Sequence, residues 1–510
     1  MLVTVVTAAS RLSGFLREAV IAGVFGASVE VDAYLIAHQV PNVLIALVST
    51  AVVTATVPLI SARVRNGETY FGHQLFRTVV VVVTAVLGVA SIVVALAAPA
   101  MVRLLAPGFG TAPARLATDL TRVLLISTVF VAGMNLVSGL LQVHRRFFWP
   151  AVVGVPFNAA MIAAALVLGP VMGVASLAWG FVVGSVLRVL VQLPSLRRTG
   201  FRWFGAVRLR DPGMAAISGL LPVILVGHVV SNINVVVDRM VASGLPDGAI
   251  ASLNYAYRLV GLPHGLLVVA LLQVLYPALG AAASQRRAFA WLSTRGMTAL
   301  LTLLTPVATA MVILALPTVQ VVYGRGAFTD AAAVRTAAAL AAFAPGLVAL
   351  GVRDLAMRAL YGLQDRWRPA AIACVGLGVN VVGDLVLGPR FGVIGLGAAT
   401  TLSFAASAVM AIAMLARSHH GVVVRDLVAA VARNVVAVVP TAVVMRVLMG
   451  VLPTPASTGV VFTVAVSAAA GVVIHLATLR VLRAPELDAL LDLVRQLIDR
   501  LPSSRRQRSG

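Results

Sequence analysis

The sequence predicts an all-α polytopic membrane protein with about fourteen transmembrane helices, and three observations lead to this class. Of the 510 residues, 60% are hydrophobic and only 11% are charged, and the mean hydropathy is +1.01. Apolar runs recur from end to end, and each is long enough to cross the ~30 Å hydrocarbon core of a bilayer as a helix. A membrane barrel would instead need strands of ~10 residues with alternating polarity, and the sequence has no such pattern.

The apolar runs divide the chain into predicted spans and lobes. The fourteen spans cover residues 2–26, 31–62, 75–104, 116–143, 149–170, 173–195, 213–243, 248–281, 290–322, 331–362, 368–388, 391–416, 426–450 and 456–481. We assign spans 1–6 to an N-lobe (residues 1–197) and spans 7–12 to a C-lobe (residues 212–416). Spans 13 and 14 (residues 426–481) lie outside both six-helix lobes.

The formal charge of +22 has a distribution that indicates membrane orientation rather than nucleic-acid binding. Arginines are concentrated in the even-numbered loops and the C-terminal tail, while most odd-numbered loops have few. Because positive residues stay on the cytoplasmic side, both termini are predicted to be cytoplasmic. The first apolar run lacks a signal-peptide cleavage pattern and is predicted to be retained. A single cysteine, Cys374, excludes an internal disulfide.

An internal repeat supports two related lobes. Residues 149–173 and 368–392 share proline and glycine positions at one offset of 219 residues. The matching pairs are Pro150 with Pro369, Gly169-Pro170 with Gly388-Pro389, and Gly173 with Gly392. Six spans separate the copies, so both run in the same direction. The repeat predicts pseudo-symmetric lobes related by an axis along the membrane normal, with a cavity between them.

The C-terminal end has a different pattern. Residues 485–501 place leucines, isoleucine and valine on one helical face and charges on the other, which predicts an amphipathic cytoplasmic helix on the inner membrane surface. Residues 502–510 form a basic tail.

Ionisable residues within the spans are the functional signal, because each costs ~2.5–3.5 kcal/mol on insertion scales unless it faces protein or water. They are concentrated in spans 1, 2, 7, 8 and 10, which we expect to line the cavity. Arg11 and Arg258 have no neighbouring acid and fit an anionic substrate, since guanidinium matches phosphate oxygens. Arg17 and Glu18 are adjacent, and adjacent residues of a helix do not face each other. Each should therefore find a partner elsewhere.

A cation site is a further hypothesis. Asn380 and Asp384 are four residues apart, so they lie on one helical face, and Thr400 lies in the next span. Carboxylate, amide and hydroxyl oxygens are ligands for a small hard cation, and Asp238 on span 7 could add a carboxylate. A polar contact between helices explains the same spacing equally well.

Several segments resemble the MurJ (MviN) family of lipid II flippases, within the multidrug/oligosaccharidyl-lipid/polysaccharide exporter superfamily. They are collinear over roughly residues 1–416. The motifs are ASRLSGFLREAVIAGVFGASVEVDAYLIAHQVPN (9–42), APGF (106–109), YAYRLVGLPHGLL (255–267), YGRGAFT (323–329) and RALYGLQDRWRPA (358–370).

The resemblance implies a transporter rather than an enzyme, which carries lipid II from the inner to the outer leaflet of the bacterial cell membrane by alternating access. By position it implies substrate contacts at Arg11, Arg17, Asp32 and Arg258. It further implies Na⁺ as a possible coupling ion, bound through Asp238, Asn380, Asp384 and Thr400. Membrane lipids are expected partners, and nucleic acids are not.

Two departures from the family pattern leave alternatives open. Residues 41–55, PNVLIALVSTAVVTA, lack the arginine, glutamate and glycine that many members carry after the Pro-Asn of span 2. Arg258 lies between Tyr257 and Gly261 rather than between acids. A flippase for another undecaprenyl-linked oligosaccharide is therefore the closest alternative. A cation-coupled small-molecule exporter is disfavoured by the surplus of arginine, and a glycosyltransferase by the short outer loops.

Overall fold

The computed structural model describes residues 2–46, 51–365, 367–418, 421–452 and 457–499. Within these ranges every regular element is a helix, so the predicted all-α polytopic class is confirmed. The basic tail at 502–510, Arg366 and residues 47–50 of the altered span-2 stretch lie outside the described residues.

By packing, the chain divides into two compact units, Met1–Ala251 with Tyr323–Ala332, and Ser252–Val322 with Ala333–Gly510. The helices of the first unit, in chain order, are α1 (Leu2–Phe25), α2 (Val29–Ile45), α3 (Ala51–Arg65), α4 (Thr69–Leu105), α5 (Thr111–Leu125), α6 (Ser127–Val143), α7 (Phe148–Val152), α8 (Gly154–Ala163), α9 (Gly169–Met172), α10 (Ala175–Leu190), α11 (Leu193–Arg197) and α12 (Pro212–Ala242). A π-helical turn, Ala164–Leu168, joins α8 to α9.

Helix α13 (Ala249–Pro263) begins in the first unit and continues into the second. A π-helical turn, His264–Val268, follows it. The remaining helices are α14 (Val269–Ala282), α15 (Arg286–Ile313), α16 (Ala315–Tyr323), α17 (Asp330–Gly362), α18 (Trp367–Ala416), α19 (Val424–Val451), α20 (Ser457–Val481) and α21 (Pro485–Asp499).

Ten helical segments within the described residues are long and apolar enough to span a membrane. One of them, α18, covers predicted spans 11 and 12, which are separated by a bend at Gly392. Outward-facing valines, isoleucines and leucines on α4 and α19, such as Leu96 and Val439, are exposed in the way expected of a lipid-facing surface. The chain is therefore a multi-pass membrane protein, and the count of fourteen stays a prediction.

The two repeated glycines adopt the same unusual backbone conformation. Gly173 has φ 58° and ψ −145°, and Gly392 has φ 60° and ψ −136°. An L-residue rarely adopts this region, so each copy of the repeat bends its chain at a position that only glycine occupies readily. The repeat seen in the sequence is thus also a repeat of backbone geometry.

The segment that includes α12 is attached to the first unit by side chains. Asp211 accepts two hydrogen bonds from Arg63 on α3, at 2.6 and 3.1 Å, and one from the backbone N–H of Gly213 at 2.7 Å. The hydrogen bonds from Arg63 are the largest cause of a lowered pKa of Asp211. This carboxylate therefore caps α12 and ties it to α3. Although the repeat places span 7 in the C-lobe, α12 packs within the first unit.

The amphipathic segment forms α21, but its apolar face does not simply rest on lipid. Leu487 and Leu490 are buried, and the helix packs on α15 and α20. Glu486 accepts two hydrogen bonds of 2.8 Å from Arg433 on α19, so α21 is attached to the second unit by an ion pair.

Candidate functional site

A polar cluster between α1 and α8 contains one of the predicted substrate residues. Arg17 donates to Asn158 Oδ1 at 3.2 Å and contacts Glu18 Oε1 at 2.5 Å. Asn158 in turn donates to Ser13 Oγ at 2.8 Å. The prediction that Arg17 and Glu18 need separate partners is wrong, because the long guanidinium side chain reaches the neighbouring carboxylate directly.

A second arginine, not identified from the sequence, joins this cluster. The guanidinium carbon of Arg188, in the last turn of α10, lies 3.5 Å from the ring centroid of Phe157. That of Arg17 lies 5.5 Å from the same centroid. The only signal in the sequence is an arginine near the end of an apolar run, which is also a common position for snorkelling to the membrane surface.

The cluster therefore combines two cations, one aromatic ring and one carboxylate, Glu18. The charges of Arg17 and Arg188 are close enough to repel each other. The Nε–H groups of both arginines are buried and donate to no acceptor among the described residues. Buried donors on two guanidinium groups are suited to bind a phosphate or pyrophosphate oxygen.

The other predicted substrate residues have different environments. Arg11 lies near the middle of α1 and Arg258 lies on α13, and both are exposed. Asp32, by contrast, is 3% exposed on α2. It accepts backbone hydrogen bonds of 2.7 Å from Gly248 and from Ala251. Both carboxylate oxygens are thus used to cap the N-terminal end of α13, and substrate contact by Asp32 stays a prediction.

In the second unit, one adjacent pair of charges on α17 is compensated locally. Asp354 accepts from Arg353 at 2.9 Å and contacts His264 Nε2 at 3.0 Å. His264 opens the π-helical turn after α13. Arg353 also lies over the ring of Phe404, with its guanidinium carbon 5.1 Å from the centroid. Here again an adjacent arginine and aspartate contact each other, contrary to the expectation that they do not.

The candidate cation site is partly assembled within α18. Asn380 Nδ2 donates to Asp384 Oδ2 at 2.7 Å, which confirms that the two side chains share one helical face. Asp384 is 0% exposed and Thr400 is 7% exposed. A Cβ on Gly383 would lie 2.7 Å from the Cβ of Ala399, so the glycine lets the two halves of α18 approach closely. Asp384 and Thr400 directly follow these two residues and so lie within about one helical turn of this close approach.

Two of these three side chains, Asp384 and Thr400, are arranged to offer oxygen ligands to a small cation, and Asn380 is not. A fully buried carboxylate and a buried hydroxyl are both suitable hard ligands. Thr400 donates its hydroxyl hydrogen to Leu396 O at 3.1 Å and keeps its lone pairs for a cation. The Asn380 amide presents its nitrogen to Asp384 and would have to rotate to offer its oxygen.

The predicted residues are divided between the units. The first unit holds Arg11, Arg17, Asp32 and Asp238, and the second holds Arg258, Asn380, Asp384 and Thr400. That the four substrate residues line one cavity, and that Asp238 completes the cation site, therefore stay predictions.

Comparison with known proteins gives a consistent family. A family profile described as lipid II flippase MurJ matches residues 21–469. The lipid II flippase MurJ of Burkholderia cenocepacia is 31% identical over 406 residues, covering 76% of this chain and 78% of that protein. The probable lipid II flippase MurJ of Vibrio cholerae is 28% identical over 434 residues, covering 82% of each.

Solved structures agree at the level of the fold. A lipid II flippase MurJ in an inward closed conformation matches with a TM-score of 0.79 and 22% identity, covering 94% of this chain and 99% of its own. An inward-facing MATE family transporter of the MOP superfamily matches with a TM-score of 0.64 and 15% identity, covering 79% of this chain and 92% of its own. At these identities the likeness shows the fold alone.

Proposed function

Because the chain belongs to the lipid II flippase MurJ family, we propose that it carries lipid II, a precursor of peptidoglycan, from the inner to the outer leaflet by alternating access. It is a transporter and not an enzyme. The membrane we propose is the bacterial inner membrane, with both termini in the cytoplasm, because arginine is concentrated in alternate loops.

The observation that carries this proposal is the pair Arg17 and Arg188 on the two sides of one polar cluster around Phe157. Two arginines held together within spans are costly, and the single carboxylate of Glu18 offsets only one of the charges. A pyrophosphate group would offset the remainder and accept hydrogen bonds from the guanidinium groups. The cluster thus favours an anionic headgroup over a cationic drug, which distinguishes a flippase from a small-molecule exporter of the same fold.

This charge balance also suggests how binding is coupled to closure. Without an anion, an arginine pair is better accommodated where water reaches it. With a bound pyrophosphate the pair is neutralised, which lowers the cost of excluding water as the protein closes around the headgroup. Release on the other side of the membrane then restores the surplus positive charge.

The test is complementation of cells depleted of their own lipid II flippase. We expect Arg17→Ala and Arg188→Ala to lose complementation, because each removes charge-assisted hydrogen bonds of ~1.5–3 kcal/mol, or roughly 10-fold to 100-fold in affinity. Arg188→Lys should retain part of the activity. Arg122→Ala, at a 49% exposed arginine paired with exposed Asp119, is the matched control and should grow normally. Normal growth of both Arg17 and Arg188 alanine variants, at wild-type protein levels, would refute the arginine-pair proposal.

A second candidate is a flippase for another undecaprenyl-linked oligosaccharide, favoured by the absence of arginine and glutamate in residues 41–55. The two candidates share the pyrophosphate and differ in the glycan. Appearance of lipid II at the outer surface of depleted cells that express this chain supports the first. Growth failure, together with transport of a different lipid-linked glycan, supports the second.

We further propose Na⁺ as the coupling ion, with Asp384 as the principal ligand, assisted by Asn380, Thr400 and Asp238. The support is the complete burial of Asp384 and the close approach of the two halves of α18 at Gly383 and Ala399, the residues that precede Asp384 and Thr400. Na⁺ in place of K⁺ should raise the unfolding temperature of the purified protein, and Asp384→Asn should abolish this difference. Asp426→Asn, at an exposed acid on α19, should leave it intact. A sodium effect that persists in Asp384→Asn places the ion elsewhere.

A further inference from the structure

The segment that follows α11 exposes large apolar side chains. Phe204 is 94% exposed, Leu209 is 65% exposed and Trp203 is 42% exposed. Large side chains of this kind are normally withdrawn from water unless they contact a partner or a membrane. We call residues 201–210 the aromatic loop.

The aromatic loop is held in place by α4. The buried guanidinium of Arg77 donates to Arg202 O at 2.7 and 3.2 Å and to Ala206 O at 3.3 Å. The backbone N–H of Arg208 donates to Thr78 Oγ1 at 3.1 Å. Phe201 is buried against Phe76, with ring centroids 5.2 Å apart. The exposure of Trp203 and Phe204 is therefore imposed by fixed backbone contacts.

The loop also lies at the end of two membrane spans. It follows the candidate span Ala175–Arg197 directly, and its anchor Arg77 lies in the first turns of the candidate span Thr69–Leu105. Tryptophan and arginine are the residues that membrane proteins place at the boundary between hydrocarbon and water. The position and the composition of the loop both indicate contact with the membrane surface.

The charge of the loop specifies which lipids it contacts. Its exposed arginines are Arg202, Arg208 and Arg210, and Arg208 and Arg210 border an open recess of about 450 Å³. The nearest acid in sequence, Asp211, is already paired with Arg63. A surface that combines exposed aromatic side chains with unbalanced positive charge complements anionic phospholipid headgroups.

We propose that the aromatic loop is a membrane-docking surface that inserts Trp203 and Phe204 among anionic phospholipid headgroups and binds their phosphates through Arg202, Arg208 and Arg210. Docking of this kind fixes the end of α4 and the connection to α12 relative to the bilayer. It does not depend on which lipid-linked substrate the protein carries.

The test uses the full chain in lipid nanodiscs, with Cys374→Ser removing the single native cysteine and a nitroxide attached at Phe204→Cys. The control is the same label at Asn66→Cys, an exposed turn residue at the same end of α4. With phosphatidylglycerol present, the label at 204 should be more accessible to oxygen than to a water-soluble nickel complex. The label at 66 should show the opposite preference.

A second experiment tests whether the loop needs its positive charge to bind anionic lipids. Replacing Arg202, Arg208 and Arg210 together by glutamine should weaken binding of the loop to a phosphatidylglycerol-containing surface by roughly fivefold per arginine, so that the label at 204 becomes more accessible to the nickel complex. Replacing all three by lysine should largely preserve this binding, which shows that the glutamine variant has lost charge rather than fold. A label at 204 that stays water-accessible in anionic nanodiscs would overturn the proposal. Equal insertion in purely phosphatidylcholine nanodiscs would also overturn it, since anionic headgroups would then be unnecessary.

Discussion

Removal of the Asp32 carboxylate should destabilise the protein rather than merely weaken substrate binding. The side chain is 3% exposed, and its two oxygens accept 2.7 Å hydrogen bonds from the backbone of Gly248 and Ala251. Hydrogen bonds to a charged group contribute ~1.5–3 kcal/mol each, and two that share one carboxylate do not add fully. For Asp32→Ala we therefore expect the free energy of unfolding to fall by about 2–5 kcal/mol.

The variant Asp32→Asn refines the expectation. Asparagine keeps one oxygen that can accept a hydrogen bond, but its NH₂ group faces the second backbone N–H. One of the two hydrogen bonds is therefore lost, and two donors face each other in its place. We expect a loss of the same order, at the lower end of the range. A suitable reference is Ser28→Ala, which removes an ordinary helix cap on α2, where the Ser28 hydroxyl accepts from Val31 N–H at 3.4 Å. That change should cost only about 1 kcal/mol.

The assay is equilibrium unfolding of the purified chain in mixed micelles, compared with lipid II transport in depleted cells. If Asp32→Ala unfolds like the wild-type protein and yet loses transport, the carboxylate serves the substrate, as the family resemblance implies, and the capping argument is refuted. If stability falls while transport at permissive temperature is retained, its role is to hold the start of α13.

Two further predictions concern ion pairs. Because Arg63 lowers the pKa of Asp211, this carboxylate stabilises the fold at pH values above its ordinary pKa of about 3.9, and the contribution is lost as the pH falls through the lower folded pKa. The stability difference between wild type and Asp211→Asn, measured by thermal unfolding, should therefore become smaller as the pH is lowered. A difference that stays constant with pH would contradict this explanation. Glu486→Gln should leave Arg433 without its charged partner and speed hydrogen exchange in α21 by about tenfold or more. Glu486 is buried and Arg433 is partly exposed, and breaking such a pair costs about 1–3 kcal/mol. Asp488→Asn, at an exposed acid of the same helix, should not do so; equal exchange in both variants would show that apolar packing alone holds α21.

Features that depend on local periodicity were predictable from the sequence. The apolar runs predicted the helices, and the spacing of Asn380 and Asp384 predicted that both lie on one helical face. The repeat paired Gly173 with Gly392, and the two glycines share one backbone conformation. Each of these follows from a 3.6-residue period or from the conformational range of glycine, which neighbouring residues in the chain determine.

Features that depend on distant partners could not be predicted from the sequence. The amides that Asp32 caps lie more than 200 residues away in the chain, at Gly248 and Ala251. Arg188 became a site residue only when α10 was packed against Phe157 on α8. The apolar face of α21 was predicted correctly, but periodicity states only that a face is apolar, not whether lipid or another helix covers it.

The handedness of L-amino acids limits which residues can replace glycine at the two repeated bends. Around both Gly173 and Gly392 a Cβ would meet no atom within 4 Å, so bulk is not what excludes other residues there. What excludes them is the combination of a positive φ with a strongly negative ψ, which a D-residue would adopt easily and an L-residue rarely adopts. Genetically encoded alternatives to glycine at these bends are therefore all of the wrong hand. Among related chains, these two positions should stay glycine while the apolar residues around them exchange freely.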